Sequence, residues 1–247
     1  MTILTNKGDI RKIREAGSIV REIFLHLKKR VRAGISTAAL DREVEDIIRR
    51  RGAEPAFKGY KGYPASICAS VNEVVVHGIP SEKTVLAEGD IVGIDVGVKK
   101  NGFFADAART FAVGKTTPEA NRLIESTRES LWRGIAQAVA GNRVSDISND
   151  IQSVAQREGF EEVRAFVGHG IGVHLHESPE VPNWGRKGEG PELKEGLVLA
   201  IEPMINFGTR RVKIMADGWT AVTEDGKLSA HFEDTVIVGH KEAEIIT

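Results

Sequence analysis

The chain has 247 residues, with 34 Lys and Arg against 35 Asp and Glu and a formal net charge of −1. So balanced a charge gives no strong field for nucleic acid or anionic lipid, and 41% hydrophobic with 28% charged residues describes an ordinary globular protein. Cys68 is the only cysteine and no apolar run reaches the roughly 18 residues of a membrane span, which excludes an intrachain disulfide, a thiolate metal cluster and a membrane-spanning helix.

The start, Met1-Thr2-Ile3-Leu4, lacks the apolar core of a signal peptide, so a monomeric cytoplasmic protein is the expectation. From about Lys7 to Arg32, Ile10, Ile13, Gly17, Val20, Phe24, Leu27 and Val31 recur at helical spacing. Ser36 caps a second helix with Leu40, Val44, Ile47 and Ile48 inward. Lys28-Lys29-Arg30 and Arg49-Arg50-Arg51 read as solvated helix ends, with a ribosome-facing role as the alternative.

Pro55 to Pro64 is a Gly-rich loop carrying Phe57, Tyr60 and Tyr63. Ser66 to Val71 and Asp90 to Val98 read as strands, and Asn101-Gly102 predicts a hairpin into Phe103 to Val113. Thr117-Pro118-Glu119 opens a third helix and Ser145 a fourth. Ser178 to Glu192 reads as a surface loop, and short strands with turns at Asp217-Gly218 and Glu224-Asp225-Gly226 follow.

One stretch occurs twice. Leu86-Ala87-Glu88-Gly89 leads through an apolar run to Asp95, and Leu193-Lys194-Glu195-Gly196 leads in the same register to Glu202. Asp106 precedes Thr110-Phe111-Ala112-Val113-Gly114 as Glu233 precedes Thr235-Val236-Ile237-Val238-Gly239, and His77-Gly78-Ile79 is echoed by His169-Gly170-Ile171. The chain therefore reads as one domain, 1–247, of two similar halves, about 1–115 and 116–247, each giving one His and two carboxylates to a shared centre.

Crowded together, Asp95, Asp106, Glu202 and Glu233 would repel, and two divalent cations would balance their charge. One imidazole among carboxylates, His169, suits Mn, Fe(II), Co or Zn in a hydrolytic site. Taken singly, each acid is more often a surface or turn residue, and only the repeat lifts them above that reading. His174 lacks glycine support and reads as structural; His176 is an alternative that pattern alone does not choose. Tyr60, Tyr63, Cys68 and Trp219 read as core, the two tyrosines being the better candidates for a pocket wall.

The stretches Ser70-Val71-Asn72-Glu73-Val74-Val75-Val76-His77-Gly78-Ile79-Pro80, Gly93-Ile94-Asp95-Val96-Gly97, Ala105-Asp106-Ala107-Ala108-Arg109-Thr110, Gly168-His169-Gly170-Ile171-Gly172, His176-Glu177-Ser178-Pro179, Ile201-Glu202-Pro203-Met204 and His231-Phe232-Glu233-Asp234-Thr235 are, in this order, similar to the type I methionine aminopeptidases of the bacterial kind, pita-bread metallopeptidases of family M24. The resemblance implies an α+β pita-bread fold, a pseudo-two-fold arrangement with a central antiparallel sheet flanked by helices. It implies Asp95, Asp106, His169, Glu202 and Glu233 as ligands of two divalent ions that activate a shared hydroxide. His77 would hold the scissile amide, His176 would stabilise the oxyanion, and Glu202 would also relay a proton.

Phe57, Tyr60, Tyr63, Cys68, His77 and Trp219 would surround a methionine side chain, with His176 also touching substrate. Asn72, Val74 and Ser229 would form a monovalent-cation site. The implied substrate is the N-terminal methionine of nascent chains with a small second residue. The sequence departs from the family pattern at Ala105, Leu175 and His231, which bear on the pocket and its surroundings. The competing readings are a proline-directed peptidase on the same fold and a catalytically silent binding relative, which would have lost ligand positions that are all filled here.

Overall fold

Asn6 Oδ1 accepts the Asp9 N–H at 2.9 Å and opens α1, Lys7–Arg30; the computed structural model describes residues 1–247. Ser36 caps α2, Thr37–Arg50, through the Ala39 N–H. The apolar stripe of α1 is buried at Ile13, Gly17, Val20 and Leu27. After β1 (Glu54–Pro55) and a tight turn at 60–62 come β2 (Ile67–Val71) and β3 (Val74–Val76).

The predicted hairpin is β4 (Ile91–Lys100) and β5 (Phe103–Ala112), paired without a break from Ile91↔Ala112 to Lys100↔Phe103. Asn101 and Gly102 close it with φ of 52° and 82°, the left-handed conformations a two-residue turn requires. α3 (Pro118–Ala136) begins at the Thr117 cap, and α4 (Val144–Arg157) begins one residue before the expected Ser145 because the Asp146 carboxylate accepts the Arg143 N–H.

The remaining elements are β6 (Glu161–Glu162), β7 (Gly168–Gly170), β8 (Glu177–Val181), β9 (Val198–Ile201), β10 (Met204–Asn206), β11 (Val212–Ile214), β12 (Ala221–Thr223), β13 (Ser229–His231), β14 (Glu233–Ile237) and β15 (Glu244–Ile245). β8 corrects the sequence reading, which gave a surface loop from Ser178. It pairs antiparallel with β7 at the sheet edge, where Pro179 costs no ladder bond, and buries Pro179 and Val181 alternately. Pro179 within the strand and Pro182 just after it mask a short alternation.

Nine strands form one antiparallel sheet ordered β1-β4-β5-β14-β9-β7-β8, with β2 on β4 and β15 on β14. Two three-stranded sheets, β13-β10-β6 and β11-β12-β3, flank it. Ile94, Val96 and Val98 of β4 pack with α1 and α2, while Leu199, Ile201 and Val236 pack with α3 and α4. A third cluster on the opposite side takes Ile13 and Ile171 together with Tyr63, Cys68, Ala200 and Ile237, and so draws on both halves of the chain. No helix is long and apolar enough to cross a membrane.

The Gly-rich loop is tied to α2. Asp41 Oδ1 accepts the N–H groups of Ser66 and Ile67 at 2.8 and 3.0 Å, and Glu45 accepts the Ser66 hydroxyl, Lys58 and Arg49. The Lys58 ammonium, with Arg49 and Ser66, holds the Glu45 carboxyl down to about 2. A depressed carboxyl stabilises the fold above its ordinary pKa of 4.5 and ceases to do so as pH falls towards about 2. Glu45→Gln is therefore expected to lower the urea midpoint at pH 7 by an amount equivalent to roughly 1 kcal/mol or less. In denaturation curves taken at successively lower pH, the gap from the parent should close below pH 4.5.

Candidate active site

Side chains alternate across a strand, so ladder register decides which ones share a face. Asp95 pairs with Ala108 and Asp106 with Gly97, two steps along one ladder. Glu233 also pairs with Ala108, across the β5–β14 junction. Thr235 and His169 both pair with Ala200, and Glu202 lies two residues beyond it. Asp95, Asp106, His169, Glu202 and Glu233 therefore point to one face, the side away from the helices.

The pseudo-two-fold relation is visible in two hydroxyls. Thr235 Oγ1 accepts the Asp106 N–H at 2.9 Å and donates to the Asp106 carbonyl at 2.8 Å. Its counterpart Thr110 Oγ1 accepts the His231 N–H at 2.9 Å and donates to the His231 carbonyl at 2.8 Å. Each threonine thus clamps the residue four positions before the other. In this register Asp106 corresponds to His231, and Glu233 to Ala108, which refines the looser match made from sequence.

A second echo is corrected. Asp95 and Glu202 are equivalent, so the pairs Ser70↔Gly93 and His169↔Ala200 make Ser70 the counterpart of His169. His77 instead enters from the loop after β3 with φ of 60°. The glycines beside it and beside His169 do allow close approach. A Cβ would lie 2.3 Å from the Ala69 carbonyl oxygen at Gly78, 2.5 Å from that of Ala200 at Gly168, and 2.2 Å from that of Ser178 at Gly170.

Burial governs the electrostatics. It pushes Asp95 up to about 6 and Glu202 to about 7, and Asp106 and Glu233 well above the usual carboxylate range, each of the last two further raised by its acidic neighbours. His231, buried beside them, is pushed down to about 4 by desolvation. Its Nε2 lies 3.6 Å from Glu202 Oε2, and His169 Nε2 lies 3.5 Å from Glu202 Oε1.

Asp95 Oδ1, Asp106 Oδ1 and Glu233 Oε1 are buried without a hydrogen-bond partner. Ligand atoms of Asp106, His169 and Glu233 all lie within 4.8 Å of one another. His169 Nδ1 lies 2.9 Å from the Gly170 carbonyl, to which it donates, leaving Nε2 free to face the acids. Orphaned anionic oxygens beside an imidazole nitrogen oriented in this way fit divalent cations, which would keep the acids ionised.

A cavity of 180 Å³ joins these acids to Phe57, Tyr60, Tyr63, Cys68, His77, His176 and Trp219. Every residue expected in the pocket wall is present. Lys61 and Leu175 line it as well; Leu175 was met in the sequence only as a departure, and Lys61 carried no signal beyond its place in the loop. Phe57 reaches the wall because Gly97 has no side chain, a Cβ there falling 2.6 Å from its ring. The Tyr63 hydroxyl lies 3.1 Å from the carbonyls of both Ile67 and Gly78 and pins the loop bearing His77.

The Tyr60 hydroxyl lies 2.9 Å from His176 Nδ1, and the two rings stack. His176 also lies against His169, ring centroids 4.2 Å apart; His174 and His176 are both exposed to solvent, but only His176 lines the cavity. Desolvation, then the neighbouring His169, lowers the His176 pKa, although its outer edge meets solvent. Burial pushes His77 down to about 4.

The residues expected to hold a monovalent cation lie apart from this cavity. The Asn72 side chain is engaged with Asp90 Oδ1 at 2.9 Å and the Ile91 N–H at 3.0 Å, and the Asn72 backbone carbonyl accepts the Ser229 N–H at 2.9 Å. Val74 pairs with Val222 on the neighbouring strand.

The profile of metallopeptidase family M24 matches residues 11–240. The chain is 54% identical to a methionine aminopeptidase of Clostridium perfringens and 48% identical to methionine aminopeptidase 1 of Bacillus subtilis, in each case over 100% of this chain and 99% of the relative. The crystal structure of a methionine aminopeptidase from Thermotoga maritima superposes with a TM-score of 0.97 at 42% identity, covering 100% of this chain and 99% of that one. A prolidase from Pyrococcus furiosus superposes at 0.79 with 23% identity, over 99% of this chain and 65% of that one, a likeness of fold alone.

The threonine clamps make a direct expectation. Thr235→Val keeps the shape and leaves the buried Asp106 N–H without a partner, which should lower unfolding free energy by about 1–3 kcal/mol. Urea denaturation of the variant beside the parent measures it, and Thr110→Val should behave alike.

Proposed function

The chain belongs to metallopeptidase family M24, and from that premise we propose that it removes the N-terminal methionine from polypeptides whose second residue is small. The supporting observation is the junction of an aromatic and thiol-lined cavity with the converged acids and His169. Its pita-bread fold brings these together from both ends of the chain, so residues 1–247 work as one catalytic unit.

Asp95, Asp106, His169, Glu202 and Glu233 would hold two divalent ions from the set Co, Mn, Fe(II) and Zn. Bound there, such ions supply Lewis acidity and water of lowered pKa. Phe57, Tyr60, Tyr63, Cys68 and Trp219 enclose the methionine side chain, whose flexible thioether suits an aromatic wall. The T-shaped packing of Trp219 on Tyr63, ring centroids 5.1 Å apart, keeps that wall rigid.

His77 binds the scissile amide. Its left-handed backbone and the edge-on Phe166 ring at 5.3 Å hold it in place. With the Tyr60 hydroxyl, 2.9 Å from His176 Nδ1, acting as donor, the proton of the neutral imidazole would reside on Nε2, from which it would be donated as a hydrogen bond to the oxygen that gains charge during attack. Glu202, whose carboxylate oxygens face His169 Nε2 at 3.5 Å and His231 Nε2 at 3.6 Å at the cavity wall, carries the proton from water to the departing amine.

Activity toward a Met-Ala peptide should disappear on dialysis against a chelator and return with Mn, Fe(II) or Co. Glu202→Gln should lower kcat by about 10²–10⁴-fold. The competing assignment predicts faster cleavage of an Ala-Pro peptide than of Met-Ala, and that result in the same assay would overturn the substrate. A metal-loaded sample inert toward all Met peptides would overturn the enzyme reading.

A further inference from the structure

The sequence motif Ala105-Asp106-Ala107-Ala108-Arg109-Thr110 contains a residue that the reaction does not use. We propose that Arg109 is a positioning residue for the acid cluster, fixing the strand that bears Glu233 against the strand that bears Asp106 from the opposite side of the sheet. The inference rests on the reading of Asp106 and Glu233 as metal-holding residues.

The junction of the two halves is thin. β5 and β14 share the register pairs Glu233↔Ala108 and Asp234↔Ala107, whereas β4 and β5 pair along their full length. On the cavity side, Thr110 and Thr235 bridge the strands where the ladder stops. Arg109 performs the corresponding task on the helix side.

Its Nη1 donates to the Ala108 carbonyl at 2.9 Å and to the Glu233 carbonyl, and Nη2 donates to Asp234 Oδ1 at 2.5 Å. One rigid fork thus grips the backbone of both strands at the paired residues. The Glu233 carbonyl belongs to the residue whose carboxylate faces the cavity, so holding that peptide fixes the direction in which the carboxylate leaves the strand.

The surroundings fix the guanidinium in turn. It lies 5.2 Å from the Phe24 ring of α1. Asp234 is 5% exposed, and Thr247 Oγ1 donates to the same carboxylate oxygen at 3.0 Å while accepting the Thr235 N–H at 3.0 Å. Arg109, Asp234, Thr247 and Thr235 therefore form one chain of bonds from the helix side to the clamp on Asp106. A lysine ammonium lacks the planar fork needed to meet two carbonyls and a carboxylate together.

The test uses the full chain and reads metal binding separately from turnover. Arg109→Lys and Arg109→Gln are titrated with Mn by calorimetry beside the parent, with folding followed by circular dichroism. The parent should bind two equivalents; if it binds none, the metal reading fails, and this inference with it. If the parent binds two, folded Arg109 variants should hold at least one of them about 10–100-fold more weakly. KM for Met-Ala should stay within about twofold, because Arg109 does not touch the cavity, and kcat should recover at high Mn.

Affinity equal to the parent's in the folded variants overturns the proposal while leaving the metal reading intact. Arg128→Gln, on α3, where the guanidinium meets only Glu125 and the Trp132 ring of the same helix, should leave Mn affinity unchanged; an equal loss there would show a general effect and overturn the proposal as well. Should both Arg109 variants fail to fold, Asp234→Asn keeps the shape of its partner and removes the ion pair. The same weakening is expected of it, and parental affinity would overturn the inference.

Discussion

The repulsion among four carboxylates crowded into one cavity, Asp106 and Glu233 buried and Asp95 and Glu202 partly so, is the constraint on which the rest of the structure depends. Removing a carboxylate from water costs several kcal/mol even after relaxation, and Asp95, Asp106, Glu202 and Glu233 all bear that cost within one small cavity. Such a group is tolerated only if protons or cations neutralise it and if the scaffold prevents the acids from moving apart. The scaffold here is backbone held by side chains: threonine hydroxyls on facing strands, and glycines at 168 and 170 that let the His169 strand lie against its neighbours.

The two halves are alike in path but not in content. The register that makes Thr110 and Thr235 equivalent puts Ala108 opposite Glu233 on the axis of the repeat. A carboxylate at 108 would face Glu233 directly, so the symmetry has to be broken at that pair. His231 in the place equivalent to Asp106, and Ser70 in that equivalent to His169, break it further. The outcome is a cavity with aromatic walls on one side and acids on the other, which gives a bound peptide a defined direction.

Much of this was legible because the sequence repeats its own punctuation. The Glu-Gly turns before Asp95 and Glu202, the Asn101-Gly102 hairpin and the Thr117 cap each state a local geometry that tertiary packing had no reason to override. The five converging residues were legible only as a set, since the common face depends on ladder register that no single strand encodes. The placement of His77 was not legible, because two His-Gly-Ile segments look equivalent until the partner strands are known. β8 was hidden by Pro179, acceptable only at an edge, and Lys61 becomes part of the cavity through a turn whose shape is set by Gly59 and Gly62.

The asymmetric pair at Ala108 and Glu233 has a consequence for how such a fold can be divided. Two copies of the N-terminal portion, docked edge to edge through β5, would gather Asp95 and Asp106 twice over and provide no imidazole from a β7 equivalent, while two copies of the C-terminal portion would set Glu233 against itself. Only the unlike combination is chemically complete. The covalent link between α1–β5 and α3–β15 thus acts as a guarantee of correct partnership, enforcing by connectivity a heterodimer that the fragments' own complementarity would otherwise have to select.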